Sequence, residues 1–326
     1  MTYDLLSARQ AYHALPSGLK SPYHNPDYVV LDAVEKTNTD PVFFIFRKSG
    51  EIYYHPLHRV HTPELNVIDF ESARGYGGPI STTSDKEFLR EALNEYKNFS
   101  AEHNVLVEFI RFSPVLENQH YYYGDVWLDR PTCAIDLSDY AIEKNSHGAI
   151  SNINKALKND CQVAITGEPT KQQFAAFNRL YNERMNELNA DKQYLFTENY
   201  VEKIIGGNNA MVLVEHNHEI IAAAIFLGGF AWFEYHLSAA NAQGRKFGVI
   251  NLILHTFALQ NQNASAILHL GGGTDQDPDN KLLQFKQGMG KLKKRFYIGK
   301  YIHQHERYEE LKKINLNNNK RVIFYR

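Results

Sequence analysis

The residues best suited to chemistry lie in a short, mostly apolar segment, Trp232-Phe233-Glu234-Tyr235-His236. If the segment is a strand, alternation places Glu234 and His236 on one face and Tyr235 on the other. A carboxylate or an imidazole in a cleft can take the proton that an ammonium group must lose before it attacks as an amine. Both residues are therefore candidate general bases. The polar side of a half-covered sheet explains either residue singly at least as well.

The elements predicted around Glu234 and His236 form a candidate phosphate-binding site. The sequence predicts a strand over 230–238, a polar, glycine-containing loop over 241–248, a helix over 249–262 and a second strand over 266–270. A strand that opens into a loop at a helix N-terminus gathers backbone N–H groups, which hold a phosphate without any side chain. Gly271-Gly272-Gly273 then leaves open backbone for an acyl group, or forms an ordinary flexible loop.

The order of elements predicts the fold class. Each half of the chain shows strands, a helix and further strands, which indicates an α/β (α+β) protein with mixed sheets flanked by helices. In the first half a helix is predicted over 85–103 with Ser84 as its N-cap, and a last strand is predicted over 321–325. We expect two lobes, 1–135 and 136–326.

Composition narrows the class of protein and the compartment. The 326 residues carry a net charge of −2, but residues 281–326 hold 13 Lys or Arg and three Glu, a net of +10. This basic run is either a solvated surface or a phosphate-binding one.

Cys133 and Cys161 are far apart and indicate a reducing, cytoplasmic compartment. No signal peptide is expected, and the uncharged run 220–233 is shorter than the roughly 20 residues of a spanning helix. A peripheral membrane contact remains open.

Several phrases resemble the FemABX peptidyltransferases and their GNAT-fold relatives. They span most of the chain in the expected order: Tyr76-Gly77-Gly78-Pro79, Tyr181–Phe196, Tyr235–Ser238, Arg245–Gly248 with Asn251, His269–Gly272, Phe285-Lys286 and Phe296–Gly299. The resemblance implies two tandem GNAT-like lobes and transfer of an acyl or aminoacyl group onto an amine. The helical arm that Fem-type proteins often carry for tRNA is not visible here as an insertion.

The resemblance also implies roles for particular residues. The GNAT pyrophosphate loop has the pattern Arg/Gln-x-x-Gly-x-Gly/Ala, which Arg245 and Gly248 match and Ile250 does not. Without the family context this stretch is an ordinary strand-to-helix connection. Lys286 is implied as a catalytic residue, beside Glu234 and His236. The implied donor-binding residues are Arg245, Lys246, Gly248, Asn251 and Phe285. The implied acceptor cleft consists of Tyr76, Gly77, Gly78, Tyr181, Arg184, Gly271 and Gly272.

The leading hypothesis is a Fem-like N-acyltransferase that uses aminoacyl-tRNA or acyl-CoA as a cosubstrate, with no covalently bound cofactor and no metal. Its acceptor would be an amine of a cell-envelope precursor, a peptidoglycan peptide or an amino sugar, as a small molecule or linked to a lipid. One alternative is an acetyl-CoA-dependent sugar or amine N-acetyltransferase. Another is a non-catalytic protein that binds nucleic acid or a partner. Histidines at metal-like spacings, such as His55 and His58, are interpreted as surface residues.

Overall fold

The computed structural model describes residues 4–191, 194–262, 266–277, 279–314 and 321–326. In chain order the helices and strands are α1 (Leu5–Ala14), α2 (Pro26–Val34), β1 (Thr39–Lys48), β2 (Glu51–Thr62), β3 (Val67–Glu71), β4 (Ile80–Ser81), α3 (Lys86–Glu102), β5 (Val105–Arg111), β6 (Asp125–Asp136), α4 (His147–Lys158), β7 (Gln162–Thr166), α5 (Lys171–Glu187), α6 (Glu198–Ile204), β8 (Ala210–His216), β9 (Glu219–Gly228), β10 (Trp232–Ala240), α7 (Ala242–Phe247), α8 (Val249–Gln260), β11 (Ile267–Gly272), α9 (Lys281–Gln287), β12 (Leu292–Ile302) and α10 (His305–Ile314).

The chain forms two compact units. Unit 1 consists of residues 1–129 and 295–326, and unit 2 consists of residues 130–294. The first division falls near the predicted one, but the predicted second lobe includes residues 295–326, which pack with unit 1. The reason is that the last part of β12 pairs with β5, a strand almost 190 residues earlier, where Ile298 lies opposite Arg111.

Unit 1 contains a mixed sheet with the strand order β1-β2-β3-β5-β12. The pairing is antiparallel except between β3 and β5, which run parallel. Helix α3 buries Phe88, Ala92, Tyr96 and Phe99, the apolar face that its spacing predicts. Its N-cap is Asp85, which accepts from the N–H of Phe88, so the prediction of Ser84 is wrong by one residue. The described residues 321–326 form no strand, contrary to the prediction.

Unit 2 contains a mixed sheet with the strand order β6-β11-β10-β9-β8-β7, in which β10 and β11 run parallel. Alternate residues of β9, such as Ala224 and Phe226, join the core that α4 and α8 cover. The residues between them, such as Ile225, are also buried, on the face against which α5 packs. Because helices cover both faces, β9 is apolar throughout rather than alternating. The predicted class, mixed sheets flanked by helices, is confirmed.

Within the described residues, no helix combines the length and the hydropathy that crossing a membrane requires.

Candidate functional site

A cavity of about 530 Å³ opens in unit 2 where β10 meets the N-terminus of α8. Helices α4, α5, α7 and α9 supply the rest of its wall. The lining residues are Asn152, Arg184, Tyr235, His236, Ser238, Ala239, Ala240, Gly244, Arg245, Gly248, Val249, Ile250, Asn251, Leu282, Phe285 and Lys286. A cavity of this volume can accommodate a drug-sized small molecule.

The cavity gathers seven of the residues that the sequence proposed for catalysis, donor binding and the acceptor cleft. They are Arg184, His236, Arg245, Gly248, Asn251, Phe285 and Lys286. Other candidates of the same unit do not line it: Tyr181, Glu234, Lys246, Gly271 and Gly272. Lys246 is exposed on α7. Tyr181 is buried and donates its hydroxyl to the carbonyl of Tyr194 at 2.8 Å.

The wall between β10 and α8 is a short helix followed by a sharp turn, and not the predicted loop. Asn241 caps α7 by accepting from the N–H of Gly244 at 2.9 Å. Gly248 then takes φ +76°, a left-handed conformation that favours glycine. A Cβ at this position would lie 2.6 Å from Asn152 of α4. Glycine is therefore required both by the backbone and by the close approach of α4.

Two amide side chains fix α4 against α8 at the same place. The side chain of Asn152 donates to Asn251 Oδ1 at 2.9 Å, and Asn251 Nδ2 contacts the sulfur of Met289 at 3.3 Å. Asn251 is 2% exposed. Its amide is thus satisfied inside the protein, and the residue shapes the wall of the cavity.

The strand that carries Glu234 and His236 is bulged, so simple alternation fails there. The register between β10 and β9 shifts between Tyr235 and Leu237, which leaves His236 as the extra residue. Tyr235 and His236 consequently both line the cavity. His236 Nε2 lies 2.8 Å from the hydroxyl of Tyr200, a fully buried residue of α6.

Glu234 lies in a buried hydrogen-bond network instead of the cavity. Its carboxylate accepts from Trp232 Nε1 at 3.0 Å and from His269 Nδ1 at 2.7 Å. His269 Nε2 lies 3.0 Å from the hydroxyl of Thr132. Glu234 is 1% exposed and His269 is fully buried. Nothing in the sequence singles out Thr132, and His269 enters only through the family resemblance. The only sequence signal for this network is a histidine within an apolar strand.

This network predicts a loss of stability when Glu234 is removed. We expect Glu234→Ala to lower the free energy of unfolding by about 3–5 kcal/mol, because it leaves buried donors on Trp232 and His269 without their acceptor. Glu234→Gln keeps one acceptor oxygen and should cost less. Urea denaturation measures both values. Equal stability of wild type and Glu234→Ala would contradict a structural role for this carboxylate.

Lys286 brings a positive charge into the cavity from α9. Its Nζ donates to the carbonyl oxygen of Gly272 at 2.9 Å. Burial, opposed by Cys133 and assisted by the charge of Arg130, lowers the pKa of Lys286 to about 8. Lys286 is therefore mainly protonated at neutral pH and can hold an anionic oxygen.

Two of the three glycines that precede α9 pair with a neighbouring strand, so the prediction of an open loop is wrong for these two. Gly271 and Gly272 belong to β11, opposite Cys133 and Thr132 of β6. A Cβ at Gly272 would lie 2.6 Å from the carbonyl oxygen of Pro131. Close strand packing explains the need for glycine at position 272, and the role of Gly271 and Gly272 in the acceptor cleft stays a prediction.

The charges that line the cavity have one sign. Arg184, Arg245 and Lys286 contribute three cationic groups, and no aspartate or glutamate is among the lining residues. Low-dielectric walls and like charges together favour an anionic ligand.

Solved structures with this arrangement of elements exist. The crystal structure of FemX superposes with a TM-score of 0.70 at 14% identity, over 96% of this chain and 99% of that one. The chain has the fold of FemX. The C-terminal domain of a putative lysylphosphatidylglycerol synthetase from Agrobacterium fabrum gives a TM-score of 0.61 at 9% identity, over 91% and 92%. L-PGS from Bacillus licheniformis gives 0.57 at 13%, over 81% and 84%.

At these identities the likeness concerns the fold. The predicted resemblance to FemABX proteins is confirmed at that level. No protein-family model and no curated protein sequence matches the chain.

The remaining candidates of the acceptor cleft lie in unit 1 of this FemX-like fold. Gly77 donates its N–H to the carbonyl of Arg111 at 2.6 Å, and Asn118 Nδ2 donates to the carbonyls of Gly77 and Pro79, both at 2.9 Å. The ring of Tyr76 packs on Phe296 at 5.3 Å. Gly78 has φ +87°. Tyr76, Gly77 and Gly78 thus form a rigid turn, and their role in holding an acceptor stays a prediction.

The interpretation of His55 and His58 as surface residues is wrong. Both are fully buried in β2, and His58 Nε2 lies 3.0 Å from the carbonyl oxygen of Val29. Burial lowers the pKa of both imidazoles. Within the described ranges, no three His, Cys, Asp or Glu side chains come together as metal ligands would.

Proposed function

We propose that the protein is an N-acyltransferase. It moves an acyl or aminoacyl group from an activated donor, aminoacyl-tRNA or acyl-CoA, to an amine of a cell-envelope precursor. The observation that carries this proposal is the single cavity wall that brings together His236, Arg245, Gly248 and Lys286 on a fold shared with FemX. A general base, anion-binding groups and a lysine are the groups that amide formation by direct attack needs.

The donor enters with its carbonyl carbon toward β10. The amine nitrogen forms a bond to that carbon, and the bond from the carbon to the ester oxygen or thioester sulfur breaks. Negative charge develops on the carbonyl oxygen during the attack. The ammonium group of Lys286 stabilises this charge because it is partly buried in the cavity wall, where water screens a fixed charge less than in bulk solvent.

The attacking amine loses one proton, and His236 accepts it. His236 lines the cavity, whereas Glu234 is buried behind it with Trp232 and His269. The bulge in β10 turns His236 toward the cavity, and the hydroxyl of Tyr200 holds its ring. The proton then passes to the leaving oxygen or sulfur, so that the donor departs as a free hydroxyl or thiol.

One observation favours an aminoacyl ester over acyl-CoA as the donor. Ile250 lines the cavity at the position where the GNAT pyrophosphate loop has a small residue. Its branched side chain crowds a diphosphate that approaches the first turn of α8.

The acceptor of this proposal is an amine on a peptidoglycan peptide or an amino sugar, carried by a nucleotide or a lipid. Its phosphates would meet the exposed cations Lys291 and Lys293 of the basic run. A lipid-linked acceptor would bring the protein to the cytoplasmic membrane surface without anchoring it.

Parallel donor assays test the proposal. Purified protein is incubated with an acceptor pool of nucleotide-linked peptide precursors and amino sugars, and with either ¹⁴C-labelled aminoacyl-tRNA or ¹⁴C-labelled acetyl-CoA. Mass spectrometry then identifies the labelled product. We expect amide-linked label from aminoacyl-tRNA. Label only from acetyl-CoA would favour a sugar or amine N-acetyltransferase. Binding of tRNA with no transfer from either donor would contradict an enzymatic function.

A further inference from the structure

Strand β11 is irregular directly before the carbonyl group that holds the lysine of the cavity. His269 lies opposite Ala134 of β6, but the next paired residue, Gly271, lies opposite Cys133. Leu270 is therefore an extra residue in β11, and the pair of strands contains a β-bulge. Gly271 has φ +78°, a left-handed conformation that glycine adopts without steric cost. The bulge is thus built on this glycine.

The bulge determines the direction of the carbonyl groups that follow it. In a regular antiparallel pair, successive carbonyls point alternately toward the partner strand and away from it. One extra residue shifts this alternation for the residues after it. Beyond the bulge, the carbonyl oxygen of Gly272 accepts from Lys286 Nζ at 2.9 Å. This contact therefore depends on the register that the bulge sets.

Side chains next to the bulge hold it in this register. His269 Nε2 lies 3.0 Å from the hydroxyl of Thr132, and Thr132 is the residue of β6 opposite Gly272. The contact thus links the strand before the bulge with the partner of the residue after it. Leu270 is 1% exposed and belongs to the core of unit 2, so the side chain of the extra residue is fixed as well.

The position of the ammonium group follows the carbonyl of Gly272. Among the residues of unit 2 that the structure describes, this oxygen is the one hydrogen-bond acceptor of Lys286. An ammonium group has three N–H donors, so two stay available for a ligand. The titratable and charged groups that act on Lys286 are Cys133 and Arg130, and Arg130 Nη1 donates to the carbonyl of Gly273 at 3.0 Å.

We propose that Gly271 is a positioning residue of the transfer reaction: through the bulge it aims the carbonyl of Gly272 at α9, and that carbonyl holds the ammonium group of Lys286 toward the donor. This inference rests on the proposed function, since it concerns the group that meets the developing oxyanion. Gly271 does not line the cavity. It acts through its backbone, because residues other than glycine, asparagine and aspartate resist the left-handed conformation.

Competitive acetylation with acetic anhydride tests the position of Lys286 without any assay of transfer. Mass spectrometry gives the acetylation of each lysine over pH 6–10, and hence the pKa of Lys286. We expect about 8 in wild type, since burial lowers this pKa. In Gly271→Ala the carbonyl turns away and the side chain moves into the open part of the cavity. Its pKa should then rise above about 9, toward the ordinary lysine value of about 10.4.

Two variants separate the bulge from backbone strain in general. Gly271→Asn tolerates the left-handed conformation and should keep the pKa of Lys286 near that of wild type. Gly50→Ala places similar strain in the turn between β1 and β2, where the glycine has φ +85° and a Cβ meets nothing within 4 Å. It should leave the acetylation of Lys286 unchanged. Equal shifts in Gly271→Ala and Gly271→Asn, or no shift in Gly271→Ala, would overturn the proposal.

Thr132→Val provides a second test that keeps Gly271. Valine has nearly the same shape as threonine but lacks the hydroxyl that contacts His269 across the bulge. We expect the pKa of Lys286 to rise, by less than in Gly271→Ala. Circular dichroism shows whether each variant folds. If Gly271→Ala does not fold, an unchanged pKa in Thr132→Val overturns the proposal.

The transfer assay then relates position to rate. Gly271→Ala should lower kcat about 10- to 100-fold with little change in KM, and Gly271→Asn should keep most of the activity. A wild type that transfers no acyl group, together with the expected shifts in acetylation, would contradict the proposed function alone. An active wild type in which Gly271→Ala changes neither kcat nor the pKa of Lys286 would contradict this inference alone.

Discussion

Lys286→Ala is expected to lower kcat of acyl transfer by about 10²–10³-fold, the range found when one group that stabilises a developing oxyanion is removed. Lys286 is the lining cation of α9, held by the carbonyl of Gly272 at 2.9 Å. Its loss removes a charge from the cavity and leaves the helix intact. The free energy of unfolding should therefore change little in comparison with kcat, because burying the ammonium group is itself unfavourable. Stopped-flow or radiochemical turnover and urea denaturation measure the two quantities on the same samples.

The control is Lys281→Ala, which removes an exposed lysine from the same helix. We expect turnover close to that of wild type. Equal activity of Lys281→Ala and Lys286→Ala would remove Lys286 from the mechanism.

The pH profile adds a readout that a purely structural lysine would not give. Since burial lowers the pKa of Lys286 to about 8, the ammonium form is present below that pH and is lost as the pH rises through it. The rate should fall on the alkaline side with an apparent pKa near this value. Lys286→Arg stays protonated throughout, because the pKa of a guanidinium lies above about 12. Its residual activity should show no alkaline fall near pH 8, and a fall at the same pH in this variant would assign the titration to another group.

The parts of the site that the sequence predicted are those that local spacing determines. Arg245, Gly248 and Asn251 lie within seven residues, around one strand-to-helix connection, so any fold that forms the connection brings them together. Phe285 and Lys286 entered through the family resemblance, because nothing in their own spacing indicates contact with β10. The helix over 249–260 was likewise visible from its apolar pattern.

The parts that were missed depend on pairing between distant strands. The bulge at His236 follows from the register between β9 and β10, for which the segment itself carries no signal. The contact between Glu234 and His269 arises because β10 and β11 run parallel with these two residues opposite each other, 35 positions apart. Gly271 and Gly272 belong to a strand for the same reason: β6 supplies their partners. Alternation and turn composition describe one segment of the sequence at a time, whereas each of these features depends on the pairing of two strands.

His236→Asn is expected to lower kcat/KM by about 10²–10⁴-fold, the usual contribution of a positioned general base. Asparagine keeps a polar group near the hydroxyl of Tyr200 but cannot accept a proton at neutral pH. The bulge places His236 in the cavity wall, while Glu234 lies in the buried network with Trp232 and His269. Substitutions at the two candidate bases should therefore have different effects. Substitution of His236 should mainly lower kcat/KM, and substitution of Glu234 should mainly lower the free energy of unfolding.

The matched comparison is Glu234→Gln, which neutralises the other candidate with little change in shape. We expect it to reduce the free energy of unfolding more than His236→Asn does, and to reduce kcat/KM much less. Both variants are measured for turnover over pH 6–9 and for urea denaturation. If Glu234→Gln instead abolishes turnover at undiminished stability while His236→Asn remains active, the proton travels through the buried carboxylate, and the assignment of His236 as the base is wrong.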